Sequence, residues 1–343
     1  MRYHDRWTAA RIARTEDLTP SIRLFELEPA GGAIRYAPGA HLRVKVRVDG
    51  REEVRSYSLL DTGVDDGRYR IAVKRIDDGL GGSRYLRTLA AGDEIVVSQP
   101  HNQFELGAQA VSRTLVAGGV GITALLGMAR ALAGGSRPVR FHYAVRTQDE
   151  AAFAGLLRGW LGDRFELHVS GQGGRLDLRR VVADMDPQGE LYVCGPIGML
   201  EAARQAWKEA GRPASLLRFE SFAASGHHPN RAFTAVLPRF GLEIEVPAHQ
   251  SLLGALEQAG IPVLSDCLRG ECGLCAVDVL GCDSALDHRD VFMSEAQKAG
   301  NRRLCACVSR PAGGRIEIDT GYRGRRLDAA GLDGGSAAAR PAS

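Results

Sequence analysis

The sequence contains no long hydrophobic run and no strong excess of charge of either sign. Its longest stretch without a charged residue, between Arg113 and Arg130, has 16 residues and includes four glycines, which makes it too short and too interrupted to span a bilayer. The formal net charge is +3 at pH 7, which is too small to indicate nucleic-acid binding. We therefore expect neither a membrane protein nor a nucleic-acid-binding protein.

The first residues, Met1 to Arg6, lack the apolar segment of a signal peptide. The chain has seven cysteines, an odd number, so disulfides are not expected and free thiols indicate a cytoplasmic location. Hydrophobic residues make up 44% of the sequence and charged residues 25%, as in an ordinary globular protein. The length of 343 residues allows two or three domains.

Four cysteines follow a C-x4-C-x2-C pattern that a distant residue completes: Cys267, Cys272, Cys275 and Cys305. This spacing is typical of a plant-type [2Fe-2S] cluster. Gly270 and Gly273 give the loop the freedom to wrap around two irons, and amides near the sulfurs would stabilise the charge of the reduced cluster. Zinc is the alternative, although zinc ribbons usually carry two C-x2-C pairs. Cys307 is the rival to Cys305, but we expect it, like Cys282, to be a packing residue.

Residues 1–106 predict a small antiparallel β-barrel. Apolar and polar residues alternate over 41–48, and similar short runs occur at 69–74 and 94–98. One helix is expected to begin at Ser83, with the serine as its cap, and to end before Gly92.

Residues 107–226 alternate between strands and helices, which predicts a doubly wound parallel sheet. The strands are expected at 113–117, 139–145, 165–170 and 191–194, and the helices at 124–133, 150–161 and 199–210. Residues 223–230 are polar and small, and they are interpreted as a linker.

Residues 231–320 predict an α+β ferredoxin domain of the β-grasp type. A hairpin is expected from strands at 233–237 and 242–246, followed by a helix at 251–259. The segment 321–343 is of low complexity and is expected to be disordered.

Gly119 and Gly121 follow a predicted strand and precede a helix, which is the context of a dinucleotide fingerprint. A glycine-rich packing turn is the alternative. Beyond the next strand, Arg146 favours NADP and Asp149 favours NAD, so the choice stays open. The segment Cys194–Gly195–Pro196 ends the last strand of this sheet, where ligands bind in such folds. A buried, inert thiol is the alternative for Cys194.

Arg55, Ser56, Tyr57 and Ser58 combine a cation, an aromatic ring and two hydroxyls at the end of a predicted strand. A flavin with a phosphate tail needs such groups, although a solvated strand end would look the same. The Gly81–Gly82–Ser83 turn supplies flexible backbone at a helix start, which suits the same phosphate. Lys74 could add charge nearby.

From end to end, the chain resembles the phthalate dioxygenase reductase family, which includes the vanillate demethylase reductases. The order of parts is flavin barrel, nicotinamide domain and ferredoxin. The resemblance rests on the cysteine set and on short segments at 55–58, 72–75, 81–83, 118–123, 194–196 and 220–223.

The resemblance implies an oxidoreductase that moves electrons from NAD(P)H, with NADH favoured, through FMN rather than FAD to a [2Fe-2S] cluster. It implies that Thr123 lies near the flavin ring and that Phe222 covers the flavin face where nicotinamide enters. No residue is expected to act as an acid or base, and hydride transfer is expected near Thr123, Cys194 and Phe222. The implied FMN-binding residues are Arg55, Ser56, Tyr57, Ser58, Ala72, Val73, Lys74, Gly81, Gly82, Ser83, Thr123 and Phe222. The implied NAD(P)H-binding residues are Gly118, Gly119, Val120, Gly121, Arg146, Cys194, Gly195, Pro196 and Met199.

The expected partner is a Rieske-type terminal oxygenase acting on an aromatic or similar catabolic substrate, and the chain itself is expected to be a monomer. Two features depart from the family pattern. Ser221 stands where an arginine is often found, and Leu268 and Arg269 replace an acidic pair in the cysteine loop, which implies different partner recognition. An iron–sulfur redox sensor and a stand-alone flavin reductase are the alternative functions.

Overall fold

The computed structural model describes residues 5–60, 66–77, 79–222 and 226–326. The chain divides into two compact units, residues 1–225 and 226–343. The first unit contains a β-rich lobe followed by an α/β lobe, and the second unit is α+β. None of the helices in the described ranges combines the length and the apolar character needed to cross a bilayer.

The β-rich lobe is an antiparallel sheet with one short helix. Its elements are β1 (Trp7–Asp17), β2 (Ile22–Pro29), β3 (Ala40–Val48), β4 (Arg51–Ser58), β5 (Tyr69–Lys74), α1 (Gly82–Thr88), β6 (Glu94–Ser98) and β7 (His101–Asn102). The strand order is β4-β3-β6-β1-β2-β5, with β7 beside β3. A bridge between Leu59 and Ile71 joins the ends of the sheet, and this closes it into the predicted barrel.

The hairpin between β3 and β4 shows how the sequence sets the barrel. Alternating side chains of β3 put Leu42, Val44 and Val46 in the core. Asp49 and Gly50 form the two-residue turn, with φ angles of 49° and 77°. Positive φ at both positions is the geometry of a type I′ turn, which matches the twist of paired strands. The turn therefore fixes the register that brings the end of β4 to its position in the barrel.

The α/β lobe is a five-stranded parallel sheet in the order β10-β9-β8-β11-β12. Its elements are β8 (Arg113–Gly118), α2 (Ile122–Ala133), β9 (Val139–Val145), α3 (Ala154–Leu161), β10 (Phe165–Val169), α4 (Leu178–Ala183), β11 (Glu190–Gly195), α5 (Ile197–Glu209) and β12 (Leu217–Ser221). The doubly wound sheet is confirmed. The sequence pattern did not predict α4 or β12, and the helix expected from 150 begins four residues later.

The two lobes of the first unit share a hydrophobic core, in addition to a separate core inside the β-rich lobe. Ile22, Leu24 and Phe104 of the β-rich lobe belong to the same buried cluster as Leu115 and Phe141 of the α/β lobe. The Thr19 hydroxyl also donates a hydrogen bond of 3.2 Å to the carboxylate of Glu150, so polar contacts add to the apolar ones. A domain boundary near residue 106 stays a prediction, because the side chains on either side of it pack together.

The second unit has a mixed five-stranded sheet in the order β14-β13-β19-β15-β17 and a separate pair, β16 and β18. Its elements are β13 (Phe233–Leu237), β14 (Leu242–Val246), α6 (Leu252–Gln258), β15 (Ala276–Cys282), β16 (Leu286–Asp287), α7 (Glu295–Ala299), β17 (Arg303–Cys305), β18 (Arg310–Pro311) and β19 (Arg315–Asp319). The predicted hairpin has the expected bounds. The Ser251 hydroxyl caps α6 by accepting from the Gly254 amide at 3.1 Å.

Two expectations fall partly outside the described residues. Residues 223–225 of the linker and 327–343 of the tail are among those that the structure does not describe. The part of the tail that is described is in contact with the rest of the second unit. Arg323 pairs with Asp319 at 2.8 Å, and Arg326 donates to the carbonyl of Ala259 at 2.9 Å.

A buried ion pair between Arg289 and Asp287 ties the start of the second unit to its interior. The two side chains are 4% and 0% exposed and lie 2.7 Å apart, and Arg289 also donates to the Asn230 side chain and the His228 carbonyl. Burial alone would raise the pKa of Asp287, but the His227 amide and Arg289 outweigh it and hold that pKa below its ordinary value. The carboxylate is therefore the form that folding favours.

We expect Asp287→Asn to destabilise the second unit by about 3–5 kcal/mol at neutral pH, because it leaves Arg289 buried without its counter-ion. In the unsubstituted protein the same stabilisation is present above the ordinary carboxyl pKa and is lost as pH falls through the lower folded value. Denaturant unfolding followed at several pH values measures both effects. Asp319→Asn is the control, because its pair with Arg323 is open to solvent, with side chains 26% and 56% exposed, and such a pair contributes about 0–1 kcal/mol. Equal losses in the two variants would contradict the prediction.

Candidate functional site

The end of β4 and the start of α1 meet at one place, which we call the barrel corner: Arg55, Tyr57, Ser58, Gly81 and Gly82. A Cβ on Gly82 would lie 2.7 Å from Cγ of Arg55 and 3.3 Å from the Tyr57 hydroxyl. The Arg55 guanidinium donates to the Leu80 carbonyl at 2.8 Å. The structure thus brings together two segments that are separated in the sequence by more than twenty residues.

Two polar atoms of the barrel corner are buried and, within the described residues, have no hydrogen-bond partner: Nε of Arg55 and Oγ of Ser58. Buried polar atoms are normally satisfied, because each unpaired one costs about 1–3 kcal/mol. A bound ligand with acceptor and donor groups would satisfy both atoms. Burial also raises the pKa of Tyr57, although Arg55 opposes this, so its hydroxyl remains a donor. These features fit a flavin and its phosphate.

The predicted role of Ser83 as a helix cap is wrong. Gly81 is the N-cap of α1, with a φ of 80° and no side-chain cap. The Ser83 hydroxyl instead accepts from the Ile76 amide at 3.1 Å. Ser83 is one residue inside the helix, so its hydroxyl bonds to the preceding loop. The left-handed backbone at Gly81 is what turns the chain into the helix.

A second group of predicted residues meets at the carboxyl ends of β8 and β11, and we call it the glycine edge: Gly118, Gly121, Gly195, Pro196 and Met199. A Cβ on Gly118 would lie 2.8 Å from Pro196 and 2.9 Å from Met199, and a Cβ on Gly121 would overlap the carbonyl of Cys194. The residues stay this close only because the glycines have no side chains. Ligands bind at this edge of parallel sheets.

We expect Gly121→Ala to destabilise the first unit by about 1–3 kcal/mol, because the added methyl group must push α2 away from β11. Unfolding midpoints measured in denaturant test this, and NADH-dependent reduction should fall with them. Gly134→Ala is the control, since a Cβ there meets nothing within 4 Å. A Gly121→Ala protein as stable as this control would contradict the close approach.

The remaining predicted residues of the first unit differ in exposure. Thr123 is buried in the first turn of α2, where its hydroxyl donates to the Val120 carbonyl at 2.9 Å. Phe222 is half-buried against the shared core. Cys194 is fully buried, and Arg146 is exposed after β9. The other predicted residues are Ser56 on β4, Ala72, Val73 and Lys74 on β5, and Gly119 between β8 and α2. Ser221 is buried at the end of β12.

Five thiols of the second unit form the thiol cluster: Cys267, Cys272, Cys275, Cys305 and Cys307. They fall into two groups. Cys267 and Cys272 are hydrogen-bonded to each other, and Cys275 is hydrogen-bonded to Cys305 and Cys307. Two groups of thiols suit a centre with two irons, each of which takes two protein ligands.

The loop that carries the thiol cluster has the shape that such a centre requires. Gly270 and Gly273 both have a φ of 73°, so the turns expected at these glycines are confirmed. The amides of Arg269, Glu271 and Cys272 all point at the sulfur of Cys267 at 3.4 Å. Converging N–H donors stabilise negative charge on a cluster thiolate.

The protonation of the thiol cluster follows from the same contacts. The hydrogen bond with Cys267 lowers the pKa of Cys272, and hydrogen bonds with Cys305 and Cys307 lower the pKa of Cys275. Each group therefore contains one thiol that readily becomes a thiolate, which is the form that binds iron.

The choice of fourth ligand involves both remote cysteines. Sγ of Cys307 lies 3.1 Å from Sγ of Cys275, although the sequence pattern interprets Cys307 as a packing residue. Cys305 lies in β17 opposite Ala276 and also reaches Cys275. The sequence spacing favours Cys305, whereas the 3.1 Å separation of the Cys275 and Cys307 sulfurs favours Cys307, and both remote cysteines are hydrogen-bonded to Cys275.

Arg269 does not present its charge at the surface of the cysteine loop. Its residue is 5% exposed, and its guanidinium pairs with Glu271 at 3.2 Å. The apolar Leu274 and Phe292 are instead half exposed. The inference that a basic Arg269 alters partner recognition is therefore not supported by its position.

Two family models match the chain. The oxidoreductase FAD-binding domain matches residues 9–106, and the 2Fe-2S iron–sulfur cluster binding domain matches residues 236–312. The first range covers the barrel corner and the second covers the thiol cluster.

Curated relatives align over nearly their whole length. The heme-dependent oxidative N-demethylase beta subunit of Ectopseudomonas mendocina is 36% identical over 90% of this chain and 97% of its own. The phthalate dioxygenase reductase of Burkholderia cepacia is 35% identical over 92% of this chain and 98% of its own.

Solved structures agree. A phthalate dioxygenase reductase, described as a modular structure for electron transfer from pyridine nucleotides to [2Fe-2S], has a TM-score of 0.74 and 32% identity, covering 91% of this chain and 98% of that one. Full-length CYP116B46 from Tepidiphilus thermophilus has a TM-score of 0.64 and 31% identity over 91% of this chain, which spans 42% of that longer protein.

A flavin-binding barrel, a nucleotide-binding sheet and a 2Fe-2S domain in one chain define a class of oxidoreductases that serve oxygenases. The chain belongs to the phthalate dioxygenase reductase family. It is a reductase component of a multicomponent oxygenase system, and it transfers electrons from NAD(P)H by way of a flavin and a 2Fe-2S centre.

Proposed function

We propose that the flavin is FMN, that NADH is the preferred donor and that the electron acceptor is a Rieske-type oxygenase acting on an aromatic or similar catabolic substrate. The observation that carries the flavin part of the proposal is the barrel corner, where Nε of Arg55 and Oγ of Ser58 have no hydrogen-bond partner within the described residues and lie beside the glycines at the start of α1. The family resemblance favours NADH and a Rieske-type acceptor. When bound, a flavin takes two electrons as hydride and releases them singly, which suits a one-electron cluster.

The barrel corner would hold the flavin in defined ways. Arg55 supplies positive charge for the phosphate, and its planar guanidinium suits the phosphate oxygens. Ser58 and Tyr57 supply hydroxyl groups for the polar edge of the ring. Gly81 and Gly82 let the ligand approach the backbone closely, because any Cβ there would meet Val48 or Arg55.

The glycine edge would hold the nicotinamide nucleotide. Gly119, where a Cβ would meet nothing within 4 Å, leaves backbone accessible just before α2, where the helix dipole favours a pyrophosphate. Phe222 is half-buried beside the shared core, and the family resemblance implies that its ring would cover the flavin face where nicotinamide enters. Arg146 is exposed beyond β9, where it is free to meet the adenosine end.

In the second unit, Cys267, Cys272, Cys275 and a remote cysteine would bind the cluster. The three amides directed at Cys267 would offset the negative charge gained on reduction.

The free thiols of all seven cysteines support a reducing, cytoplasmic location, and we propose that the chain is a monomer.

Anaerobic rapid mixing of the holoprotein with NADH tests the proposal. Flavin bleaching should precede the loss of cluster absorbance, and NADH should outperform NADPH. The released flavin, identified by chromatography after denaturation, should be FMN. Electrons should then pass to a purified Rieske-type oxygenase. Release of free reduced flavin would overturn the proposed electron transfer through bound flavin. Recovery of FAD would overturn the assignment of FMN, and transfer only to a haem oxygenase would overturn the Rieske-type acceptor.

A further inference from the structure

Two histidines and a glutamate lie together on one face of the parallel sheet in the α/β lobe. His142 is on β9, and Glu166 and His168 are on the neighbouring strand β10. Glu166 is paired directly with His142 in the parallel ladder, and His168 lies two residues further along. Side chains two residues apart project from the same face of a strand, so the register itself brings the three groups together.

The distances among these groups match those around a single small cation. Nδ1 of His142 lies 3.2 Å from Nε2 of His168. Oε2 of Glu166 lies 3.3 Å from Nδ1 of His142, and Oε1 lies 3.6 Å from Nε2 of His168. A tetrahedral metal centre with bonds of about 2.0–2.2 Å has edges of about 3.3–3.6 Å between its ligand atoms. The separation of the two ring nitrogens is close to one such edge, and one carboxylate oxygen lies within 4.8 Å of both nitrogens, near enough to supply a third ligand atom.

Burial and access also suit ligation. The imidazoles are 12% and 14% exposed. The Glu166 side chain is 61% exposed, so a cation can reach the site from solvent.

A hydrogen bond between the two rings is the simpler explanation of their contact. In that arrangement one ring nitrogen carries the hydrogen and the other accepts it. Glu166 can also accept a hydrogen bond from a ring N–H, and that arrangement needs no cation. A cation can replace the shared hydrogen and satisfy all three groups.

We propose that His142, Glu166 and His168 bind one divalent transition-metal ion of the zinc type, which links the edge strand β10 to β9. Two imidazoles and a carboxylate favour zinc, nickel or cobalt over magnesium and calcium, which prefer oxygen ligands. Three protein ligands leave one coordination position for water. The site is separate from the barrel corner, the glycine edge and the thiol cluster in the residues that form it.

Equilibrium dialysis of the untagged, cluster-loaded protein against Zn²⁺ tests the proposal, with zinc and iron measured in the same samples. We expect one zinc per chain with iron content unchanged. The variants His142→Ala and His168→Ala should weaken binding by about 100-fold or more, since even the loss of a group that only orients a ligand costs about 10- to 100-fold. Mg²⁺ should not compete.

Glu166→Gln changes the charge of an exposed side chain and keeps its shape. It therefore tests the site even if the histidine variants do not fold. It should weaken zinc binding while the melting temperature measured without metal stays unchanged. The double variant His227→Ala, His228→Ala removes two histidines of the second unit that are adjacent to each other in the sequence. It is the control for adventitious zinc binding, and it should retain the site. Unchanged zinc binding in both Glu166→Gln and His168→Ala, or loss of zinc only in the control, would overturn the proposal.

Discussion

Cys275→Ser is expected to abolish the iron–sulfur cluster while leaving the flavin in place. Cys275 is the centre of one of the two groups of thiols, because it is hydrogen-bonded to both remote cysteines. A serine oxygen is a poor substitute for a soft thiolate at iron. The purified variant should lack the red-brown absorbance of iron and sulfide. It should still reduce dyes from NADH but should lose transfer to cytochrome c.

The remote cysteines provide a sharper test within the same experiment. We expect Cys307→Ser to remove most of the cluster and Cys305→Ser to retain it, because the 3.1 Å contact joins Cys275 to Cys307. Cys282→Ser is the matched control, since its sulfur contacts the Ser284 carbonyl instead of the cluster thiols. Full iron and sulfide content in Cys275→Ser would contradict the assignment. Loss of the cluster only in Cys305→Ser would show that Cys305, which the sequence spacing favours, is the fourth ligand.

Arg55→Ala is expected to weaken flavin binding by about 10- to 100-fold, because a charge-assisted hydrogen bond contributes about 1.5–3 kcal/mol. The protein should lose flavin during gel filtration and regain it when FMN is added in excess. Fluorescence titration of the flavin-free protein with FMN measures the change.

Arg51→Ala is the control for the loss of flavin. Arg51 is on the same strand, β4, but it is exposed. Its replacement should leave flavin affinity unchanged, and the cluster should be intact in both variants. Equal flavin affinity in Arg55→Ala and the unsubstituted protein would show that the barrel corner does not hold the phosphate.

Much of the architecture could be predicted because it depends on local patterns. Alternation predicted β5 and β9 with their observed bounds, and the hairpin of β13 and β14 likewise. The glycines between a predicted strand and helix allowed either a dinucleotide fingerprint or a packing turn, and the structure places Gly121 against the Cys194 carbonyl. In each case neighbouring residues in the sequence carried the information.

Other features depend on contacts between distant residues, which local patterns do not show. The Ser83 hydroxyl was expected to cap its own helix, but a loop seven residues earlier offers it a better partner. The choice between Cys305 and Cys307 depends on how the chain turns after β17. His142 and Glu166 are 24 residues apart in the sequence, and only the register of two parallel strands shows that they are neighbours.

The shared core of the first unit has a consequence for engineering. Leu24 and Phe104 pack in the same buried cluster as Leu115 and Phe141, so cutting the chain near residue 106 would expose apolar surface on both fragments. Chimeric proteins made with related reductases should therefore keep residues 1–222 together and join the segment from the other reductase after them. Such a chimera would keep the part that accepts electrons from NAD(P)H intact. The part that passes electrons on could then be varied.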